Sequence, residues 1–190
     1  MAASSKPSHL RLYLEHTPSS HDPTGAPAFY QALGTLLVAL GRLESHFLVC
    51  IMMIMATKAT SGLAKKLPNA WDERKRIWKE AFRTSPALKP HEPDALKFLA
   101  ELEDVAKDRH TIFHCSWERL NAGPPLNAKI AILRPTKGDK DSFDFSRETI
   151  TINQVRGVAQ KASRLNIELK PWSDLLSAQR GPLPAGIHEL

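Results

Sequence analysis

Apolar residues recur every three or four positions along four segments of the chain, which is the spacing of one face of an α-helix. The first three segments cover residues 28–58, 70–83 and 94–117. The fourth begins at Thr151, which forms a capping-box pair with Gln154, a pattern typical of a helix start. The pattern therefore predicts a mainly helical chain with four principal helices.

Between the third and fourth helices the apolar positions alternate instead. Ile130 and Ile132 precede a polar turn at residues 136–141, and Phe143 and Phe145 follow it. A period of two is that of a β-strand, so this region is expected to form a hairpin. The expected fold class is all-α in the main: a four-helix bundle with a small β-hairpin inserted before the last helix.

The ends of the chain differ in composition from its centre. Residues 1–27 are rich in Ser, Pro, Thr and Gly and are predicted to be a mobile N-terminal segment. Residues 28–178 form the predicted helical domain. Residues 179–190 contain Gly, Pro and Ala and are predicted to be a C-terminal tail.

Charge and cysteine content favour a soluble cytoplasmic protein with an anionic partner. The formal net charge is +6, which leans toward nucleic acid. Cys50 and Cys115 lie in no zinc-like spacing, so reduced thiols and a reducing compartment are expected. The most hydrophobic stretch, residues 47–56, is short, and Arg42 and Glu44 precede it. A membrane span is therefore not expected.

The first predicted helix contains Gly34 and Gly41. Glycine inside a helix weakens it slightly, and it also lets another helix approach closely. The sequence leaves both interpretations open.

The candidate chemistry begins with Arg109. On a helical wheel this residue falls in the middle of the apolar stripe of the third helix. Arginine keeps its charge on burial, so it needs a carboxylate, an anionic ligand or a water-filled cleft there. Glu44 and Glu103 are the candidate carboxylates. His114, whose side chain type titrates near neutrality, follows five residues later.

These residues resemble the HEPN superfamily. The resemblance rests on Leu43-Glu44 in a long first helix and on Arg109-x4-His114 followed by Cys115-Ser116-Trp117, a hairpin and a closing helix. It implies a helical bundle that dimerises and, in many members, a metal-independent endoribonuclease of toxin–antitoxin or antiphage systems. Other members only bind RNA, nucleotides or proteins. His110 stands where the family commonly has Asn, and Cys115 where it often has Gly.

The resemblance assigns roles to four residues. Arg109 would bind the phosphate, His114 would transfer protons, Glu44 would orient Arg109, and His110 would assist. The expected activity is RNA cleavage through 2′-hydroxyl attack, with no cofactor and no metal. The expected partners are RNA, a second copy of the chain, and a cognate antitoxin or inhibitor protein. The alternatives are a catalytically silent HEPN-like module that binds RNA or protein, and a helical scaffold unrelated to HEPN.

Helix geometry complicates this assignment. Residues five apart on an ideal helix point about 140° away from each other. Either the helix is disturbed between Arg109 and His114, or the arginine side chain curls round, or the two groups act across a dimer interface. His110 and His114 lie on one face, which suggests an acid–base pair or, with no third ligand evident, a metal pair.

The second predicted helix carries a basic face with a candidate RNA-binding set: Arg74, Lys75, Arg76 and Lys79. The alternative interpretation is an ordinary solvated helix face. Trp71 and Trp78 in the same helix are expected to belong to the core rather than to stack on bases.

Overall fold

The computed structural model describes residues 27–121, 126–135 and 143–179. Within these ranges the chain is mostly helical with a small antiparallel sheet, which confirms the predicted fold class at that level. The predicted mobile segment up to residue 26, the turn at 136–141 and the tail from residue 180 lie outside the described residues. The elements in chain order are α1 (Pro27–Ala56), α2 (Trp71–Thr84), α3 (Glu92–His114), β1 (Ser116–Asn121), β2 (Asn127–Pro135), β3 (Phe143–Thr151) and α4 (Ile152–Ala178).

The chain divides into two compact parts, which are described separately. Among the described residues, the helical part comprises residues 31–114 and 153–179, and the sheet part comprises residues 27–30, 115–121, 126–135 and 143–152.

An aromatic cluster forms the centre of the helical part. Trp78 is fully buried, and its indole Nε1–H donates a hydrogen bond of 3.0 Å to the carbonyl oxygen of Ala95. Four aromatic rings lie with their centroids 4.8 to 5.9 Å from that of Trp78: Phe47, Phe82, Phe98 and Trp172. Because these rings come from α1, α2, α3 and α4, one cluster ties the four helices together. The core position predicted for Trp78 is confirmed.

The sheet part contains one more strand than predicted. β2 and β3 pair antiparallel, with Ile132 opposite Ser146, so the predicted hairpin is confirmed. β1 adds to the other edge of β2, and the strand order is β1-β2-β3. Trp117 of β1 packs edge-to-face on Phe29, with ring centroids 5.6 Å apart.

The third helix is therefore shorter than predicted. It ends at His114 rather than at Trp117, because the residues from Ser116 onward exchange helical hydrogen bonds for pairing with β2. The pairing is interrupted by an irregularity between Trp117 and Arg119. Beyond His114, the backbone groups of β1 form their hydrogen bonds with β2.

No loop separates the sheet from the closing helix. β3 ends at Thr151 and α4 begins at Ile152, as the predicted capping position requires. The backbone N–H of Ile152 donates to the carbonyl oxygen of Leu126, which immediately precedes β2. The hydrogen-bond ladder of the sheet thus reaches the first residue of the helix.

Helix α1 is apolar beyond its core-facing side. By length and composition alone it is long and apolar enough to cross a membrane, with a mean hydropathy of 1.7 over 18 residues. Core helices of soluble proteins pass the same test. Leu36, Leu43, Phe47, Ile51 and Ile54 of α1 are all at most 1% exposed. Burial of this side favours a core helix. The prediction that length and charge alone exclude a membrane span is not supported for the whole of α1.

Thr60 stabilises the end of α1. It is 2% exposed, and its hydroxyl donates to the carbonyl oxygen of Ile54, with a longer contact to that of Thr57. We expect Thr60→Val to lower the free energy of unfolding by about 0.5–1.5 kcal/mol, because the carbonyl of Ile54 loses one of its two donors and keeps only the N–H of Thr57. Urea unfolding followed by circular dichroism measures this loss.

The matched control is Thr35→Val. Thr35 makes the same kind of bond, to the carbonyl of Gln31 at 2.9 Å, but is exposed, so water replaces the hydroxyl. A loss at Thr35 as large as that at Thr60 would show that burial is not the cause.

Candidate functional site

Arg109 and Glu44 form an ion pair between α3 and α1. The guanidinium Nε lies 3.3 Å from Oε1 of Glu44. Of the two candidate carboxylates, Glu44 is thus the partner, whereas Glu103 pairs with Lys75 at 3.2 Å. The ion pair between Glu44 and Arg109 is therefore present, and the orienting role of Glu44 stays a prediction.

The burial predicted for Arg109 is wrong. Its side chain is 46% exposed, and that of Glu44 is 38% exposed. Toward its C-terminal end the buried side of α3 narrows to Val105 and Ile112, while Phe113 is 38% exposed. Arg109 lies at the edge of this narrowed face. Its charge therefore reaches water on one side and a carboxylate on the other.

His110 and His114 lie against each other in the last turn and a half of α3. Their ring centroids are 4.6 Å apart and the ring planes are inclined by 32°. Both side chains are exposed. The ring contact confirms that His110 and His114 share a face, as predicted. Two imidazoles at this separation can contact one phosphodiester group together.

The structure excludes a disturbed helix between Arg109 and His114. Helix α3 runs without a break from Glu92 to His114, so no helix disturbance turns the two side chains toward each other. The ideal separation of about 140° around the helix axis therefore applies. Within one copy Arg109 pairs with Glu44, and His114 stacks on His110.

The basic face of α2 is occupied by contacts within the chain. Arg74 donates to the carbonyl of Pro68 at 3.0 Å, and Arg76 binds Glu73 and the carbonyl of Leu63. Lys75 contacts carboxylates of Asp72 and Glu103 at 2.8 and 3.2 Å, and Lys79 lies 4.0 Å from Glu103.

These contacts reduce the availability of the α2 cations for binding an RNA phosphate. The side-chain hydrogen bond with Asp72 raises the pKa of Lys75, and that with Glu73 raises the pKa of Arg76. A phosphate approaching this face competes with carboxylates already in place. The cations of α2 are therefore weaker candidates for a phosphate contact than their number in the sequence suggests.

A polar cluster between α1 and α4 was not singled out by the sequence analysis. Nδ1 of His46 lies 3.2 Å from Oδ1 of Asn166, and Nε2 lies 2.6 Å from Oγ of Ser173. Sγ of Cys50 lies 3.5 Å from the same Ser173 Oγ. The sequence spacing could have indicated this cluster. His46 and Cys50 are four residues apart, and Asn166 and Ser173 are seven residues apart, so each pair shares a helix face. The cluster fixes the His46 ring in place.

Within residues 27–121, 126–135 and 143–179 there is no cluster of three or more His, Cys, Asp and Glu side chains able to hold a metal ion. His110 and His114 thus gain no third ligand of these types there.

The two cysteines are not joined in a disulfide. Burial raises the pKa of the Cys115 thiol from 9.0 to about 11 and also raises that of Cys50. Since the folded pKa exceeds the unfolded one, the Cys115 contribution to stability is present below about pH 9 and is lost as the pH rises toward 11.

We therefore expect Cys115 to react slowly with Ellman's reagent. At pH 8 its thiolate fraction is about a hundredfold lower than that of an unfolded thiol. The measurement uses the Cys50→Ala variant, in which Cys115 is the single cysteine, in native buffer and in urea. Equal rates in the two conditions would contradict the raised pKa.

The chain matches no protein-family profile, no curated protein and no solved structure. The site is therefore interpreted from its own residues.

Proposed function

We propose that the chain is a HEPN-type, metal-independent endoribonuclease that acts as a homodimer. The observation that carries this proposal is the juxtaposition along α3 of a half-exposed arginine held by a carboxylate and two exposed imidazoles in contact. The arrangement of four helices with a small sheet before the last one supports the resemblance to HEPN bundles.

The proposed reaction is transesterification of RNA. The 2′-hydroxyl attacks the adjacent phosphorus while a neutral imidazole takes its proton. A protonated imidazole then donates a proton to the leaving 5′-oxygen as the bond from phosphorus to that oxygen breaks. The products are a 2′,3′-cyclic phosphate and a 5′-hydroxyl. General acid–base catalysis of this kind contributes about 10² to 10⁴-fold to the rate.

Arg109 supplies the charge that the phosphorane needs. Its planar guanidinium binds two phosphate oxygens at once, and a donor aimed at the developing charge stabilises the transition state more than the ground state. Glu44 contacts Nε, and the guanidinium carries further N–H donors on its terminal nitrogens. Glu44 is thus a positioning residue, and Arg109, His114 and His110 are the catalytic ones.

We propose the homodimer because the two proposed catalytic groups point in different directions within one copy. Because Arg109 and His114 diverge around an unbroken helix, a single copy presents them to different directions. Two copies that meet near the ends of α3 would bring Arg109 of one copy and the imidazoles of the other to the same phosphate.

The proposed setting is the cytoplasm, with cellular or phage RNA as the substrate class. A nuclease of this type in a toxin–antitoxin or antiphage system requires control, so we include a cognate antitoxin or inhibitor protein among the proposed partners.

A second candidate is a catalytically silent HEPN-like module that binds RNA or a protein. The contacts that favour it are the existing carboxylate partner of Arg109 and the carboxylates already paired with Lys75 and Arg76. In this case the arginine serves only to join α1 and α3.

Incubation of the full chain with end-labelled total RNA in EDTA separates the two candidates. The nuclease proposal expects cleavage with 2′,3′-cyclic phosphate and 5′-hydroxyl ends. RNA that is bound in a filter assay but stays intact would favour the silent module. Products with 3′-hydroxyl ends would contradict the proposed 2′-hydroxyl attack.

A further inference from the structure

The side of α1 that faces away from the core is apolar along most of its length. We call Gly34, Val38, Gly41, Ser45, Leu48 and Met52 the outer stripe. Val38 is 55% exposed and Met52 is 49% exposed, and the flanking Leu37 and Val49 are 60% and 42% exposed. An exposed apolar helix face of this length is normally covered by a partner. Among the described residues nothing covers this one.

The outer stripe has the spacing of a helix–helix interface. Its six members follow one another at intervals of four, three, four, three and four residues, which is the alternation of the a and d positions of a coiled coil. A stripe with this period keeps facing a second helix along its length. From Gly34 to Met52 it extends for about 27 Å at 1.5 Å per residue.

Within the part of the chain that the structure describes, no other element packs closely against the two glycines of the outer stripe. A Cβ atom added at Gly34 or at Gly41 would meet nothing within 4 Å among the described residues. Glycine costs helix stability relative to alanine, so its place here needs a reason outside the single chain. A second helix gains close backbone approach from a glycine, whereas a bilayer gains nothing from a missing side chain.

We infer that the outer stripe binds the same stripe of a second copy of this chain. The stripe contains no charged residue, so a two-fold axis along it sets no like charges against each other. This inference rests on α1 and does not require the nuclease activity; it goes beyond the proposed function by assigning the surface through which two copies meet.

Charge at the margins of the stripe sets the direction of pairing. Arg42 lies on one margin and Glu44 on the other. In a parallel pair, the Arg42 margin of one helix faces the Glu44 margin of the other. In an antiparallel pair, each margin faces the equivalent margin of the other helix. The parallel pair therefore brings Arg42 of one copy toward Glu44 of the other. It also places a second cation beside each Glu44–Arg109 pair.

The first test compares two glycine variants of the full chain by light scattering and sedimentation over a concentration series. Gly41→Gln is expected to raise the dimer dissociation constant by about tenfold or more. Gly157→Gln is the matched control, because Gly157 lies on α4 and also has open space around it. It is expected to leave the dimer unchanged.

The same samples show whether the variants fold. Diluted to monomer, both glutamine variants are expected to melt at or above the wild-type temperature, since each replaces a helical glycine without a clash. A wild-type chain that stays monomeric at all concentrations overturns the inference. So does a Gly41→Gln variant that dimerises as well as wild type; in that event a dimer through another surface leaves the nuclease proposal standing.

A second test addresses direction and the membrane. Ser45→Cys is expected to form a disulfide-linked dimer under mild oxidation, because parallel pairing sets residue 45 opposite itself, while Ser163→Cys on the exposed side of α4 does not. Equal cross-linking at both positions overturns the parallel pairing of the outer stripe. Binding of the wild-type chain to phosphatidylcholine vesicles that Gly41→Gln retains would assign the stripe to a bilayer instead.

Discussion

Replacing His114 by alanine is expected to lower the rate of RNA cleavage about 10² to 10⁴-fold, because a proton-transfer step loses its imidazole. Arg109→Ala is expected to cause a loss of similar size, about 10² to 10³-fold, since the phosphorane loses its fixed donor. Both rates are measured as initial velocities on labelled RNA in EDTA, at enzyme concentrations where wild type is dimeric.

Arg164→Ala provides the matched control for the arginine. Arg164 is a half-exposed arginine of α4 that pairs with Glu101 of α3, so its removal breaks an ion pair between helices without touching the site. Cleavage that falls equally in Arg109→Ala and Arg164→Ala would show a general effect of lost ion pairs. Arg109→Lys keeps the charge but loses the planar fork, so its rate should lie between those of wild type and Arg109→Ala.

Melting temperature does not separate a catalytic from a structural Arg109. The Arg109–Glu44 pair is exposed to solvent on both partners, and such pairs contribute about 0–1 kcal/mol. Only a deeply buried pair would leave a costly unpaired carboxylate. The cleavage rate is the informative readout for this residue.

The largest loss of stability is expected for Trp78→Ala, at about 3–5 kcal/mol, because the substitution opens a cavity at the centre of the aromatic cluster. It also leaves the carbonyl of Ala95 without its indole donor. Domains are stable by only about 5–15 kcal/mol, so a large unfolded fraction is expected at 37 °C. Urea unfolding monitored by circular dichroism measures the loss.

Two further variants make this prediction specific. Trp78→Phe keeps most of the ring and is expected to cost clearly less than Trp78→Ala. Leu96→Ala removes a side chain that is 39% exposed on α3 and is expected to cost below about 1 kcal/mol. A loss at Leu96 comparable with that at Trp78 would contradict the assignment of the core.

The helices were predictable because their apolar spacing is local information. The buried residues Ile77, Trp78 and Phe82 of α2 recur at the spacing of one helix face. β1 was not predictable in the same way. Its residues contain few apolar positions, and what holds them in a strand is hydrogen bonding to β2, which starts at Asn127. Pairing of this kind is set by the neighbouring strand and not by the local pattern.

The candidate site was predictable in its contacts and not in its exposure. Helical periodicity placed Arg109 on the core side of α3, and Glu44 was named as a partner. A wheel gives the direction of a residue and not its exposure: Ile112, three residues beyond Arg109, is buried, whereas Arg109 itself is exposed. The pairing of Arg76 with Glu73 follows from their spacing of three, whereas the contact of Lys75 with Glu103 joins two helices and leaves no local trace.

The hydrogen bond from Ile152 to Leu126 has a consequence for motion at the start of the closing helix. Helix ends ordinarily fray, since the first four N–H groups lack partners within the helix. Here the first of them belongs to the sheet ladder. Its deuterium exchange should therefore follow the opening of strand β2 and not the fraying of α4. Ile152 and strand β2 thus share a single opening event.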